Sequence, residues 1–263
     1  MSMKVGKNNH SGNYKVIFFD LDGTLLPVET GVFLRGYNDK ASEFASDKCE
    51  DSERFAIALD EAFKAMLETE HRCLNAEIFW QVFRSHAGDF ADAWCELVDR
   101  FYKEAFNNIG DDYKSNANAS KAVNILKDKG YPLMLTTQPL FPIGAVHDRL
   151  AWSDVAPENF DYITTYDNSR LSKPHALYFQ DCMDKAGVES HEVLMVGNHT
   201  VEDLGCLDLG IDAYIITDYM CNPVNLDLEA CAGVEYGTMD EFVEYVQALP
   251  DCMSGSAIKC KSV

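Results

Sequence analysis

The chain has 263 residues, 47% of them hydrophobic, which is enough for one large domain or for a core carrying an inserted unit and excludes wholesale disorder. With 43 acidic against 22 basic residues the formal net charge is −21, and such a surface repels phosphate backbones and anionic lipid, arguing against nucleic acid and membrane as partners. The apolar runs fall far short of the ~20 residues a bilayer requires. Nine cysteines, an odd count with no C-x-x-C pair and no signal peptide, are expected to be reduced thiols of a cytoplasmic protein.

Residues 1–13 are polar and are expected to form a loose leader. Val16-Ile17-Phe18-Phe19 is too short for a helix and ends on Asp20-Leu21-Asp22-Gly23-Thr24. This reads as a buried parallel strand that delivers Asp20 and Asp22 to its C-terminal edge, where open α/β sheets bind ligands. Residues i and i+2 of a strand share a face, so both acids can meet one reacting group, and Gly23 lets the backbone turn.

For about ninety residues after that, the pattern is helical. Phe55, Leu59, Ala62, Phe63 and Met66 recur at helical spacing, followed by Ile78, Phe79, Val82 and Phe83, then by Phe90, Trp94, Leu97, Val98, Phe101 and Phe106. Asp89, with Asp92 three residues on, is placed as an N-cap. A loop is expected over 107–118. No strand interrupts the segment, so residues 28–112 are expected to form a helical insert, with the core built from 1–27 and 113–250 and a mobile tail from 251 to 263.

From Ala119 helix and strand alternate. A helix through Ala122, Val123, Ile125 and Leu126 stops at Gly130. A strand over 132–137 ends on Thr137 and Gln138, and Ile143, Val146 and Leu150 mark a helix. Strands are expected at 162–165, 193–197 and 213–216, with a helix over 177–186. Thr238 and Glu241 form a capping box for a last helix that runs to about Leu249. The alternation predicts a doubly wound parallel sheet.

Four strand ends therefore carry polar groups in order: Asp20 and Asp22; Thr137; Lys173 in Ser172-Lys173-Pro174; and the turn Gly197-Asn198-His199-Thr200-Val201-Glu202-Asp203. In this order and spacing the chain resembles the haloacid dehalogenase superfamily of phosphohydrolases from about Tyr14 to Leu249. The helical insert sits where that family carries a cap, here expected to act as a lid hinged at Leu26-Pro27 and Asp111-Asp112.

The resemblance implies a Mg²⁺-dependent phosphatase of a small phosphorylated metabolite, working as a monomer or homodimer through an aspartyl phosphate. Asp20 is implied as nucleophile and metal ligand, and Asp22 as the acid/base whose backbone carbonyl also faces the metal. Thr137, Gln138 and Lys173 are implied to hold the phosphoryl group, with Thr137 and Lys173 counted among the catalytic groups. Asn198 and Asp203 are implied to complete the metal site.

In the fourth motif Asn198 and His199 stand where the family usually places an acid. Asn198 can still offer a neutral oxygen, but imidazole is a poor partner for Mg²⁺, and His199 also reads as a turn residue facing solvent. Glu202 and Asp203 can instead cap the helix that begins there. A phosphomutase, or a phosphatase-like binding protein with a weakened metal site, is the alternative. A dehalogenase is disfavoured because such enzymes lack the acid at Asp22.

Overall fold

The computed structural model describes residues 13–68 and 73–252. All but the last residue of the leader, and the tail beyond Cys252, lie outside that range.

The opening strand β1 (Val16–Phe19) is buried on both faces. Four helices follow: α1 (Thr30–Ser46), α2 (Ser52–Glu68), α3 (Asn75–Ala87) and α4 (Ala91–Glu104). A 3₁₀ segment, Phe106–Asp112, occupies part of the expected loop. Asp89 lies inside a short 3₁₀ turn, and α4 starts after Phe90 without a side-chain cap, so the expected N-cap at Asp89 is corrected. The first helix buries Phe33, Tyr37, Ala41 and Ala45, a stripe of period four.

The α/β alternation then runs α5 (Ala117–Asp128), β2 (Leu133–Leu135), α6 (Ile143–Trp152), β3 (Tyr162–Ile163), α7 (Ala176–Ala186), β4 (Val193–Gly197), β5 (Asp212–Ile216), β6 (Val234–Gly237) and α8 (Met239–Ala248). Gly130, at φ +81°, follows the end of α5 as expected. The Thr238/Glu241 capping box opens α8, with Thr238 Oγ1 accepting from the Glu241 amide.

Among the described residues six strands form one parallel sheet, in the order β3-β2-β1-β4-β5-β6. This is the doubly wound Rossmann order, and its topological switch lies between β1 and β4, where a ligand crevice forms at the strand C-termini. Side chains alternate between the two faces with period two. Ile17, Phe19, Leu133, Leu135, Leu194 and Val196 pack with α5, α6 and α8. Val16, Phe18, Met134, Val193 and Met195 pack with α7.

The helical segment shares the first of these layers. Phe141, just after β2, meets the rings of Phe33, Tyr37, Phe63 and Phe106 at centroid distances of 5.5, 5.4, 5.3 and 6.3 Å. The start of α3 is also tied to the loops beneath it. The Asn75 amide donates to Ser169 O (2.8 Å), the Ala76 amide to Tyr166 O (2.9 Å), and Asn75 Nδ2 to Pro139 O (3.0 Å). The segment is thus held in its middle as well as at its two ends.

Candidate active site

The end of β1 places the first two acids. Asp20 N donates to Val196 O of β4 (2.8 Å), which fixes Asp20 at the switch point. The chain then folds back tightly: Gly23 N donates to Leu26 O, and Leu26 N donates to Leu21 O, each at 2.8 Å. Gly23 has φ +82°, and a Cβ there would lie 2.0 Å from Asn198 Nδ2, so both conformation and space require glycine. Asp20 and Asp22 are buried, 6% and 8% exposed.

Two cations answer these acids. Lys173 Nζ lies 2.6 Å from Asp20 Oδ1 and 2.6 Å from Asp203 Oδ1. Arg149 Nη1 lies 2.5 Å from Asp22 Oδ2. Burial pushes the Asp20 carboxyl up to about 7, against the opposing pull of Lys173. Burial also raises Asp22, opposed by Arg149 and then Lys173. For Lys173, burial disfavours the charge, but Asp20 and Asp203 outweigh it and hold the ammonium above its ordinary value.

The second and third motifs interlock. Gln138 Oε1 accepts from Lys173 N, and Gln138 Nε2 donates to Lys173 O, each at 2.9 Å. The Gln138 amide therefore clamps the backbone that carries Lys173. Thr137 O accepts from Tyr178 OH (2.8 Å) and Thr164 Oγ1 (3.0 Å), while Thr137 Oγ1 is buried with no protein partner.

The fourth motif is organised by Asp203, which is fully buried. Its Oδ2 accepts from Asn198 N and His199 N, both at 2.9 Å, while Oδ1 holds Lys173. A Cβ on Gly197 would meet Asp203 Oδ2 at 2.2 Å, so glycine admits the carboxylate. His199 is a turn residue, but a partly buried one that caps its own turn. Its Nδ1 accepts from Val201 N (3.2 Å) and Glu202 N (3.1 Å), the role the sequence offered to Glu202 and Asp203.

Asp20, Asp22, Thr137, Gln138 and Asn198 line one cavity of about 80 Å³, together with Arg149, His199 and Glu202. Phe33, Leu34, Leu67, Leu140 and Phe141 form its apolar wall, three of them from the helical segment. Lys173 and Asp203 are not among the lining side chains and act on the cavity through Asp20.

Among the described residues no three His, Cys, Asp or Glu side chains gather as a metal site. The oxygen donors nevertheless suit one hard cation. Thr24 Oγ1 lies 3.3 Å from Asp20 Oδ2 and 3.5 Å from Asn198 Oδ1, so a carboxylate and an amide oxygen converge on one hydroxyl.

Arg149 was not anticipated. The buried stripe of α6 is Ala145, Val146, Arg149 and Leu150, whereas Ile143 is exposed. A charged residue inside an apolar stripe was the available signal.

Comparison with known proteins agrees with this architecture. The model of haloacid dehalogenase-like hydrolases matches residues 14–205. Haloacid dehalogenase-like hydrolase domain-containing protein 3 of Danio rerio is 31% identical over 71 residues, which cover 27% of this chain and 29% of that protein. The 2-haloacid dehalogenase of Pseudomonas syringae superposes with a TM-score of 0.61 at 16% identity, covering 89% of this chain and 98% of that one. A predicted phosphoglycolate phosphatase from Haemophilus somnus gives 0.57 at 17% identity, covering 89% and 99%. A phosphatase from Thermococcus onnurineus gives 0.54 at 20%, covering 90% and 99%. With nearly three quarters of its length matched by one family model, the chain belongs to the haloacid dehalogenase-like hydrolases.

Proposed function

We propose that this hydrolase is a metal-dependent phosphatase of a small phosphorylated metabolite, acting through an aspartyl phosphate on Asp20. One observation carries the reading: beside Asp20, two residues that line the same cavity each keep a buried side-chain oxygen without a protein partner, Thr137 Oγ1 and Asp22 Oδ1. Unpaired buried polar atoms are costly, and a phosphoryl oxygen and a leaving alcohol supply the matching partners.

In this reading the Asp20 carboxylate attacks phosphorus and the P–O bond to the alcohol breaks. Thr137 donates to a phosphoryl oxygen. Lys173 orients Asp20 and offsets charge, while Gln138 holds Lys173 rather than the phosphate. Asp22, raised by burial, carries a proton on Oδ1 to the departing oxygen and takes one back from the water that cleaves the acyl phosphate. Even with Asp22 protonated, Asp20, Asp203 and Glu202 outnumber Lys173 and Arg149, so a dianionic ester needs further positive charge. Mg²⁺, held by Asp20, the Asp22 carbonyl and Asn198, would supply that charge. Asp203 serves such a site by anchoring the turn and Lys173, since both its oxygens are engaged.

A leaving halide needs no proton, which makes Asp22 superfluous to a dehalogenase. The helices over 30–112 would act as the cap that shields the reaction from water. The test is a panel of phosphate monoesters and 2-haloacids assayed for phosphate and halide release with and without Mg²⁺. Mg²⁺-dependent phosphate release supports the reading, and halide release alone overturns it.

A further inference from the structure

We infer that Arg149 is a specificity residue that receives a carboxylate borne by the leaving alcohol, close to the phosphoester. This rests on the phosphatase reading of the same cavity and names its substrate class.

Arg149 is 0% exposed. Its guanidinium carbon lies 5.1 Å from the Phe33 ring centroid and 4.7 Å from that of Phe141, a contact that holds the plane between the helical segment and the loop after β2. Nε reaches Ala145 O at 3.4 Å and Nη1 holds Asp22, but Nη2 is buried with no partner. Arginine and carboxylate commonly pair through two parallel hydrogen bonds. Here one contact is made, and Nη2 and Asp22 Oδ1, buried atoms of two residues that line the cavity holding Asp20, are both left unpartnered.

A bare guanidinium donor in a buried site is costly, so the complex must supply an acceptor. Asp22 is the group that serves the leaving oxygen, which puts Arg149 on the leaving-group side of phosphorus rather than among the phosphoryl ligands. The two unpartnered atoms belong to one hydrogen-bonded Arg149–Asp22 pair, so the groups that meet them are separated by only a few bonds. An alcohol oxygen that takes a proton from Asp22 Oδ1, with a carboxylate on the neighbouring carbon accepting from Nη2, satisfies both.

The test compares esters of matched shape: 2-phospholactate, isopropyl phosphate, in which a methyl replaces the carboxylate, and 1,2-propanediol bisphosphate. Wild-type protein is expected to favour 2-phospholactate over isopropyl phosphate by about 10- to 100-fold in kcat/KM, the strength of a hydrogen bond to a charged group. Arg149→Gln, checked for folding by circular dichroism, should bring the two close to parity. Equal wild-type values overturn the inference, as does a preference that survives in folded Arg149→Gln. A preference for the bisphosphate overturns the carboxylate assignment. If no ester releases phosphate, the phosphatase reading fails by itself, and calorimetry of the wild-type protein decides this one. Tighter binding of 2-phospholactate than of isopropyl phosphate upholds the carboxylate site, and equal binding overturns it.

Discussion

Lys173 holds Asp20 and Asp203 at once, with Nζ 2.6 Å from an oxygen of each. The nucleophile is thereby tied to the turn after β4, because the other Asp203 oxygen accepts from the amides of Asn198 and His199. Removing one member of a buried ion pair leaves its partner uncompensated. Asp203→Ala is expected to lower unfolding free energy by about 3–5 kcal/mol, measured by urea titration of metal-free protein. A residue whose only role was to bind metal would leave metal-free stability unchanged.

Gln138 reaches both backbone polar groups of Lys173, a span that a side chain one methylene shorter does not cover. Gln138→Asn should lower kcat of phosphate release by about tenfold or more, with a small change in KM, since about two hydrogen bonds that position Lys173 are lost. A raised KM at constant kcat would instead mark Gln138 as a direct phosphate contact.

Asn198 has two distinct ends: Oδ1 near Thr24 and Nδ2 donating to Tyr219 O at 2.7 Å. Asn198→Asp adds an anionic ligand for a hard cation but sets a carboxylate oxygen against that carbonyl. The variant should bind Mg²⁺ more tightly by calorimetry and yet melt lower without metal, with Mg²⁺ restoring much of the loss. Unchanged affinity would show that this turn does not serve a metal.

The strand ends were legible in the sequence because chemistry and position coincide there. A fully buried strand can place Asp20 and Asp22 at only one edge of a parallel sheet, where Thr137 and Asn198 follow the neighbouring strands and Lys173 lies in the loop between β3 and α7. Side-chain direction was not legible. Nothing in the order of residues distinguishes an Asp203 that faces a cation from one that turns to Lys173 and the amides, nor a Gln138 that faces phosphate from one that clamps a backbone. The strand β6 escaped notice because an edge strand with an exposed Tyr236 and a polar Glu235 carries little apolar pattern. The helix α1 was covered by a general helical reading, although its period-four stripe was present. Arg149 belongs to no motif and was visible only as a charge on a buried face.

Phe141 joins the helical segment to the sheet through four aromatic contacts. Phe141→Ala should cost about 3–5 kcal/mol of stability. Hydrogen exchange should rise more over residues 30–68 than in β1 and β4. Equal loss of protection throughout would show that the segment does not move separately from the sheet. The tethers of Asn75 and Ala76 to the loop at 166–169 set a further barrier to any opening, alongside the hinges expected at the segment's two ends.

The central claim is that Asp20 becomes covalently phosphorylated. The most direct measurement is an acid quench during turnover of a phosphate ester with Mg²⁺, followed by peptide mass spectrometry with borohydride trapping of the acyl phosphate. The predicted result is a phosphoryl adduct on the peptide containing Asp20, absent from Asp20→Asn, which should also release no phosphate. Phosphate release that persists in Asp20→Asn, or an adduct mapped to another residue, would contradict it.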